Sequence, residues 1–292
     1  MRIAARRAGL ALLAASIAWL AVSAAAAHLV SRRPRAPYDE PLPEVEWAAV
    51  EPVAFEAADG ASVRGHAFVA GAADRAVVLL HMNQADRGAM EPAARIWAGL
   101  GWSSVAVSLR GHGDAEGERL DYGLEARHDA AAAVAWARER FGGPIVVHGV
   151  SLGAAAALLA AESGGPLADG YVLEAPFTSI VTAIHDRTSM RLPPVLDRLA
   201  AESLLAVAPL VRPGTSGISP LRAARSIPPG TPALLLASTL DRRAPLERVR
   251  RFQEVLGPAT RLETAAVAHA AWQSRPDLLE PALQRWLEES EL

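Results

Sequence analysis

The spacing of apolar and polar positions divides the chain into an N-terminal apolar stretch, a short run rich in proline, and a long segment where strand-like and helix-like patterns alternate. Residues 47–56 and 61–70 flank Asp59-Gly60 and predict an antiparallel hairpin at the edge of a sheet. Residues 76–81 form a continuous apolar run, as in a strand buried on both faces, and 88–100 place apolar side chains at helical spacing behind it. The alternation repeats as strand 104–109, helix 122–141, strand 145–150, a helix over the alanine run that ends at Ala161, and strand 170–174. After an interruption come strand 233–240, helix 246–256, strand 261–267 and helix 278–287. Strict alternation predicts right-handed crossovers and an α/β fold with a mostly parallel central sheet flanked by helices.

The interruption covers 177–224. A helical pattern over 189–210 is broken by prolines, and Pro193-Pro194, Pro209, Pro213 and Pro220 punctuate a segment too long for a plain connection. It predicts a small helical cap over the carboxyl edge of the sheet.

Residues 8–30 carry no Asp, Glu, Lys or Arg and follow Arg2, Arg6 and Arg7, so they are long enough to cross a bilayer as a helix. Residues 1–35 read as a targeting segment. Ala24-Ala25-Ala26-Ala27 offers small-residue sites for a signal peptidase, whereas the length and Arg32, Arg33 and Arg35 fit an uncleaved signal anchor, the reading favoured here. Arginines on both flanks leave orientation open by charge; a signal anchor would ordinarily place the C-terminal domain outside the cytoplasm, and a cleaved signal would release it by secretion. Pro34, Pro37, Pro41 and Pro43 make 36–43 a stiff, extended linker, which puts the globular domain at 44–292.

Composition adds exclusions. A chain of 292 residues with 51% hydrophobic content can bury one substantial core, and a net charge of -3 supplies no basic face for nucleic acid. There is no cysteine, which removes disulfides, thiolate metal sites and a cysteine nucleophile, and every basic side chain other than histidine is arginine. Metal-ligand spacings, a P-loop and a G-x-G-x-x-G fingerprint are missing, so no cofactor is expected.

The chemistry centres on Gly149-Val150-Ser151-Leu152-Gly153, where an apolar strand runs into the alanine-rich helix. Glycines two positions either side of a serine let strand and helix approach around a strained turn that exposes the hydroxyl. Such a hydroxyl needs an imidazole to take its proton and a carboxylate to orient the imidazole. Asp241 follows strand 233–240 immediately and His269 follows strand 261–267 by two residues, so both fall on the same sheet edge as Ser151. Asp241 could instead cap the turn before helix 246–256, and Glu174, at the end of its own strand, is a rival acid. His81, His112, His148 and His185 are rival bases; His148 lies inside a buried strand, while His81 and His112 precede the serine. The oxyanion donors expected are the backbone amides of Leu152, aided by the helix dipole, and of Asn83, preferred over Met82, in the loop after His81. Arg110-Gly111-His112-Gly113 suits either an anion cradle or a tight loop at a strand end.

Leu79-Leu80-His81, Arg110-Gly111-His112-Gly113, the Ser151 pentapeptide, Glu174-Ala175-Pro176-Phe177-Thr178-Ser179 and Asp241 before Pro245 together resemble the α/β-hydrolase superfamily. The likeness spans 53–287 and is nearest to the serine aminopeptidase (S33-type) and BEM46-like branch of membrane-associated or exported hydrolases. It implies a serine hydrolase acting on a small-molecule acyl substrate, an ester, thioester or amide, with Ser151 as nucleophile, Asp241 as acid and His269 as base. A peptidase or acyltransferase on the same triad, and a non-catalytic membrane-tethered binding protein of the same fold, are the alternatives. Three positions depart from the family pattern: His81-Met82-Asn83 stands where His-Gly is usual, Ser108 where an Asp often precedes the Arg-Gly-His-Gly loop, and Ala268 where a Gly precedes the histidine.

Overall fold

The computed structural model describes residues 2–33, 37–71, 74–165 and 167–292. A long helix, α1 (Arg2–Val30), comes first, followed by the hairpin β1 (Ala49–Glu56) and β2 (Ser62–Val69). Then come β3 (Ala76–Leu80), α2 (Glu91–Gly99), β4 (Ser103–Val107), α3 (Ala126–Phe141), β5 (Ile145–Val150), α4 (Leu152–Glu162) and β6 (Gly170–Glu174). The interruption holds α5 (Ile180–Ser189), α6 (Leu196–Val211) and the single turn α7 (Pro220–Ala223), and β7 (Ala233–Ser238), α8 (Leu246–Leu256), β8 (Thr260–Ala265) and α9 (Pro276–Ser290) close the chain.

The strands form one sheet in the order β1-β2-β4-β3-β5-β6-β7-β8. β2 alone runs against the rest, pairing antiparallel with β1 and with β4; β4, β3 and β5 through β8 pair in parallel. Because β4 lies on one side of β3 and β5 on the other, the loops after β3 and β5 diverge and leave a crevice at the carboxyl edge, the place where open α/β sheets bind ligands.

Period-two alternation divides the core between the two faces of the sheet. Val78, Leu80, Val105 and Val107 pack toward α3, α4 and α8, while Val77, Leu79, Ala106 and Val172 pack toward α2 and α9 with Trp97 and Trp286. The alanine run has a packing role. Ala126, Ala130, Ala133 and Ala137 of α3 and Ala154 to Ala157 of α4 are all buried, and side chains this small let two helix backbones close on each other over the strand that carries Ser151.

Element ends differ from the sequence pattern for local reasons. The helix expected from 122 starts at Ala126 because Tyr122 and Gly123 both take positive φ, and the Asp121 carboxylate caps the turn by accepting the amides of Gly123 and Ala126 at 3.0 and 2.7 Å. The helix expected over 189–210 starts only at Leu196, as α6, and a separate helix that the pattern did not predict, α5, ends at Ser189. Ser179 and Thr182 form a capping box that starts α5, and Pro193-Pro194 fills the gap before α6 rather than breaking a helix from within. The first turn expected at 88 is a 3-10 turn, Arg87–Met90, ahead of α2.

The proline-rich segment is docked instead of standing clear as a spacer. The guanidinium of Arg33 donates to the carbonyls of Ala115 and Gly117 at 2.7 and 3.0 Å, Tyr38 donates its backbone amide to Gly113, and the Glu40 carboxylate is inserted between the loops that follow β3 and β4. Pro34, Arg35 and Ala36, parts of the expected anchor flank and linker, lie outside the described residues. Upstream, Ala5–Val30 of α1 is long and apolar enough to cross a membrane, and α1 leans on the cap through a 2.7 Å bond from Trp19 Nε1 to Ser203 Oγ on α6.

Candidate active site

Ser151 sits between β5 and α4 with φ 50° and ψ -97°, a conformation a non-glycine residue keeps only when its surroundings enforce it. Three backbone bonds do so. The Ser151 amide donates to the Glu174 carbonyl at 2.8 Å, the Gly153 amide to the His81 carbonyl at 3.1 Å, and the Ala155 amide to the Ser151 carbonyl at 3.1 Å. The two glycines permit this geometry by lacking side chains. A Cβ on Gly149 would stand 2.6 Å from the Ala154 nitrogen, and one on Gly153 would stand 2.1 Å from the Leu80 carbonyl oxygen. The turn therefore presents Ser151 at the edge of β3 as well as β5, with 5% of the residue exposed.

Asp241 and His269 meet at the ends of β7 and β8. His269 Nδ1 donates to Asp241 Oδ2 at 2.6 Å, and Asp241 Oδ1 accepts the amides of Arg243 and Ala244 at 2.7 and 3.1 Å. The turn-capping and imidazole-orienting readings of Asp241 thus both hold, one on each oxygen. Burial opposes the charge on this carboxylate, but the His269 bond and the two amides hold it below its ordinary value. The His269 loop is fixed from behind: Ser238 Oγ donates to the Val267 carbonyl, Trp272 Nε1 donates to the Ala237 carbonyl at 3.3 Å, and the Trp272 amide donates to Glu174 Oε1 at 2.9 Å. Neither Ser151 Oγ nor His269 Nε2 is hydrogen-bonded among the described residues, so the nitrogen opposite the carboxylate is available to a proton.

Glu174 is placed otherwise than a rival acid would be. Its carboxyl is fully buried, bonds the Trp272 amide instead of His269, and is pushed up to about 7 by burial, with the Asp241 charge adding to the effect. The rival histidines are each engaged. His81 donates Nδ1–H to the Met82 carbonyl at 2.8 Å and accepts the Leu109 amide on Nε2 at 2.9 Å, which uses both nitrogens to pin β3 to β4; burial lowers it to about 3. His148 accepts Trp97 Nε1 at 3.2 Å on the opposite face of the sheet, and His185 pairs with Glu202 on the cap. His112 stacks edge-on against His81 at 4.9 Å and reaches the Asn83 carboxamide with Nε2 at 3.2 Å.

That last contact belongs to the loop expected to supply an oxyanion donor. Among the described residues the amides of Met82 and Asn83 make no hydrogen bond, while the Met82 carbonyl accepts from His81 and from the Ala85 amide at 3.3 Å. The Met82 side chain packs away among the apolar residues beneath β3. Leu152 opens α4, so its amide has no intrahelical acceptor. Arg110 is no anion cradle: its guanidinium is taken by Asp59 and Asp129, each at 2.6 Å. Sequence reasoning missed Glu174 as the brace of the histidine loop, although its place at a strand end beside Asp241 was visible. Among the described residues no three His, Asp or Glu side chains converge to hold a metal ion.

This geometry can be compared with known proteins. The family model described as serine aminopeptidase, S33, matches residues 71–226, more than half of the chain. Among solved structures, the esterase Pf2001 of Pyrococcus furiosus is 21% identical with a TM-score of 0.64, over 86% of this chain and 98% of that one. An esterase from Exiguobacterium antarcticum, EaEST, is 14% identical with a TM-score of 0.59, over 80% and 98%. The α/β hydrolase GrgF of Penicillium sp. sh18 is 22% identical with a TM-score of 0.62, over 83% and 98%. No curated protein matches. With the family model matching more than half of the chain, the strand–elbow–helix core included, the chain belongs to the S33 serine aminopeptidase family of the α/β-hydrolase superfamily.

Proposed function

We propose that the protein is a serine hydrolase that cleaves a carboxylic ester or related acyl bond through an acyl-enzyme on Ser151. The observation that carries this reading is the 2.6 Å bond between Asp241 and His269 at strand ends on the same edge as a serine held at φ 50°. In this reading Asp241 fixes the tautomer of His269 and stabilises its cation, and His269 Nε2 takes the Ser151 proton as Oγ attacks the acyl carbon. The same nitrogen returns the proton to the leaving group, and water repeats the sequence to release the acid. The amides of Leu152 and Asn83 are the donors for the tetrahedral oxyanion, with the α4 dipole adding to the first.

An ester is preferred to a peptide because two of the similar solved structures are named esterases. The family's description as an aminopeptidase keeps the peptidase reading as the second. The apolar helix α1 is taken as a signal anchor, or a signal peptide, that places the domain outside the cytoplasm.

The test is activity-based labelling of the purified full chain. A fluorophosphonate should modify Ser151 and no other residue, and Ser151→Ala should abolish both labelling and hydrolysis of p-nitrophenyl esters. A wild-type chain that stays unlabelled where a control esterase reacts would end the proposal. Esters turned over faster than amino-acid anilides of the same side chain would separate the first reading from the second.

A further inference from the structure

Glu40 lies before the hydrolase sheet and before the family-matched segment, yet its side chain is only 6% exposed. Burying a carboxylate to that degree is costly unless its oxygens are met by donors. They are. Ser108 Oγ lies 2.7 and 2.9 Å from the two oxygens, the Asp114 amide donates at 2.8 Å, and Arg87 Nη1 donates at 3.2 Å. Arg87 also donates Nη2 to the Glu40 carbonyl at 3.2 Å and is 5% exposed itself. Gly113 leaves the space: a Cβ there would lie 1.7 Å from Glu40 Oε1.

The donors belong to the two loops that flank the presumptive oxyanion site. Arg87 begins the turn directly after the loop that carries Met82 and Asn83, and Tyr38 adds a second grip there by bonding its hydroxyl to Asp86. Ser108 and Asp114 bracket the Arg110-Gly111-His112-Gly113 loop, whose His112 contacts Asn83. Arg87 is also held by Asp114, whose carboxylate takes both terminal nitrogens at 2.6 and 3.0 Å, and its Nε and backbone amide reach His66 Nε2 at 2.9 Å and Ser108 Oγ at 3.1 Å. The Arg87–Asp114 pair thus joins the loop after β3 to the loop after β4, and Glu40, from outside the sheet, bonds both loops at the same point.

We propose that residues 37–40 form a strap and that Glu40 is a positioning residue which fixes the Met82–Asn83 loop for catalysis. Its effect on turnover rests on the hydrolase reading above; its effect on the loop does not. Ser108 Oγ touches both Glu40 oxygens, so an aspartate at 108 would project its carboxylate into the space that Glu40→Ala vacates, within reach of Arg87 and the Asp114 amide. Position 108 can therefore replace the strap from the loop after β4.

The experiment compares the full-length wild type, Glu40→Ala, Ser108→Asp and the double variant by ester kinetics and by hydrogen exchange of peptides covering 82–90 and 108–115. Glu40→Ala should lower kcat by about 10- to 100-fold with KM changed less than about threefold, as for a loop shifted by a fraction of its contact distance, and should speed exchange in both peptides. Adding Ser108→Asp should restore kcat and exchange, whereas Ser108→Asp alone brings a third carboxylate to Arg87 beside Glu40 and Asp114 and should lower the melting temperature. Unchanged kcat and exchange in Glu40→Ala, or a loss that Ser108→Asp leaves uncorrected in a folded chain, would overturn the proposal. Should Glu40→Ala not fold, Glu40→Gln, which keeps the shape without the charge, gives the same readouts. If the wild type is inert toward esters and fluorophosphonate, the hydrolase reading falls and exchange alone decides the strap.

Discussion

The buried carboxyl of Glu174 accepts the backbone amide of Trp272 at 2.9 Å, so the strand beside the nucleophile holds the turn three residues beyond His269. Among the described residues its other oxygen has no partner, and burial raises the group from 4.5 to about 7. A carboxyl raised on folding keeps its proton longer in the folded chain. Its contribution to stability is full below the unfolded value and declines as pH rises to about 7, by up to about 3 kcal/mol. Glu174→Gln can still accept the Trp272 amide but has no proton to lose, so its melting temperature should vary less than that of the wild type between about pH 5 and 8. Parallel thermal profiles would remove Glu174 as the source.

Asp241→Asn keeps an oxygen for the Arg243 and Ala244 amides but offers His269 a donor where a carboxylate stood. Ester turnover should fall by about 10⁴-fold with the circular dichroism spectrum preserved, the penalty expected for the wrong tautomer. A loss below about tenfold would show that Asp241 does not orient the base.

His269→Ala and His81→Ala should separate base from brace. His269 is part-exposed and bonded on one side only, so its removal should suppress fluorophosphonate labelling with little change in stability. His81 is fully buried with both nitrogens engaged, and its loss leaves the Leu109 amide without an acceptor, a cost of about 1–3 kcal/mol. Labelling of Ser151 at a temperature where that variant is folded should persist. Urea midpoints and labelling rates measured on both variants give the comparison.

Gly153→Ala and Gly60→Ala should differ for steric reasons. Gly60 has φ +85° with open space around it, so alanine there meets only backbone strain of about 1 kcal/mol. At Gly153 the new methyl overlaps the Leu80 carbonyl at 2.1 Å and must push β3 and α4 apart. Its loss of stability should exceed that at Gly60 and be joined by loss of ester turnover, because the serine moves with the helix. Equal denaturation midpoints for the two variants would contradict the packing described.

Elements whose hydrophobic period is undisturbed were legible in the chain, as was the order that sets Asp241 after β7 and His269 after β8, although these strands end at Ser238 and Ala265, each two residues short of the expected end. The helix starts were not. Tyr122 and Gly123 continue an apolar pattern, but their positive φ ends any helix there, and Asp121 does its capping from outside the pattern. The pattern carried the helix of α6 back to Ser189 and left α5 unread, because Pro193-Pro194 looks the same between helices as inside one. Least visible was Glu40. A charged residue among prolines reads as solvated linker, and its partners Ser108 and Asp114 are 68 and 74 positions away, beyond any local pattern.

Those separations bear on the order in which the chain can assemble. A polypeptide made from its N-terminus exposes Glu40 before Arg87, Ser108 and Asp114 exist, and the Trp19 to Ser203 contact spans 184 positions. Contacts of such sequence distance carry a loop-closure cost that local helices and hairpins do not, so they form late. A nascent chain therefore completes the surroundings of Ser151 only after most of the domain has emerged, and stays without them until then.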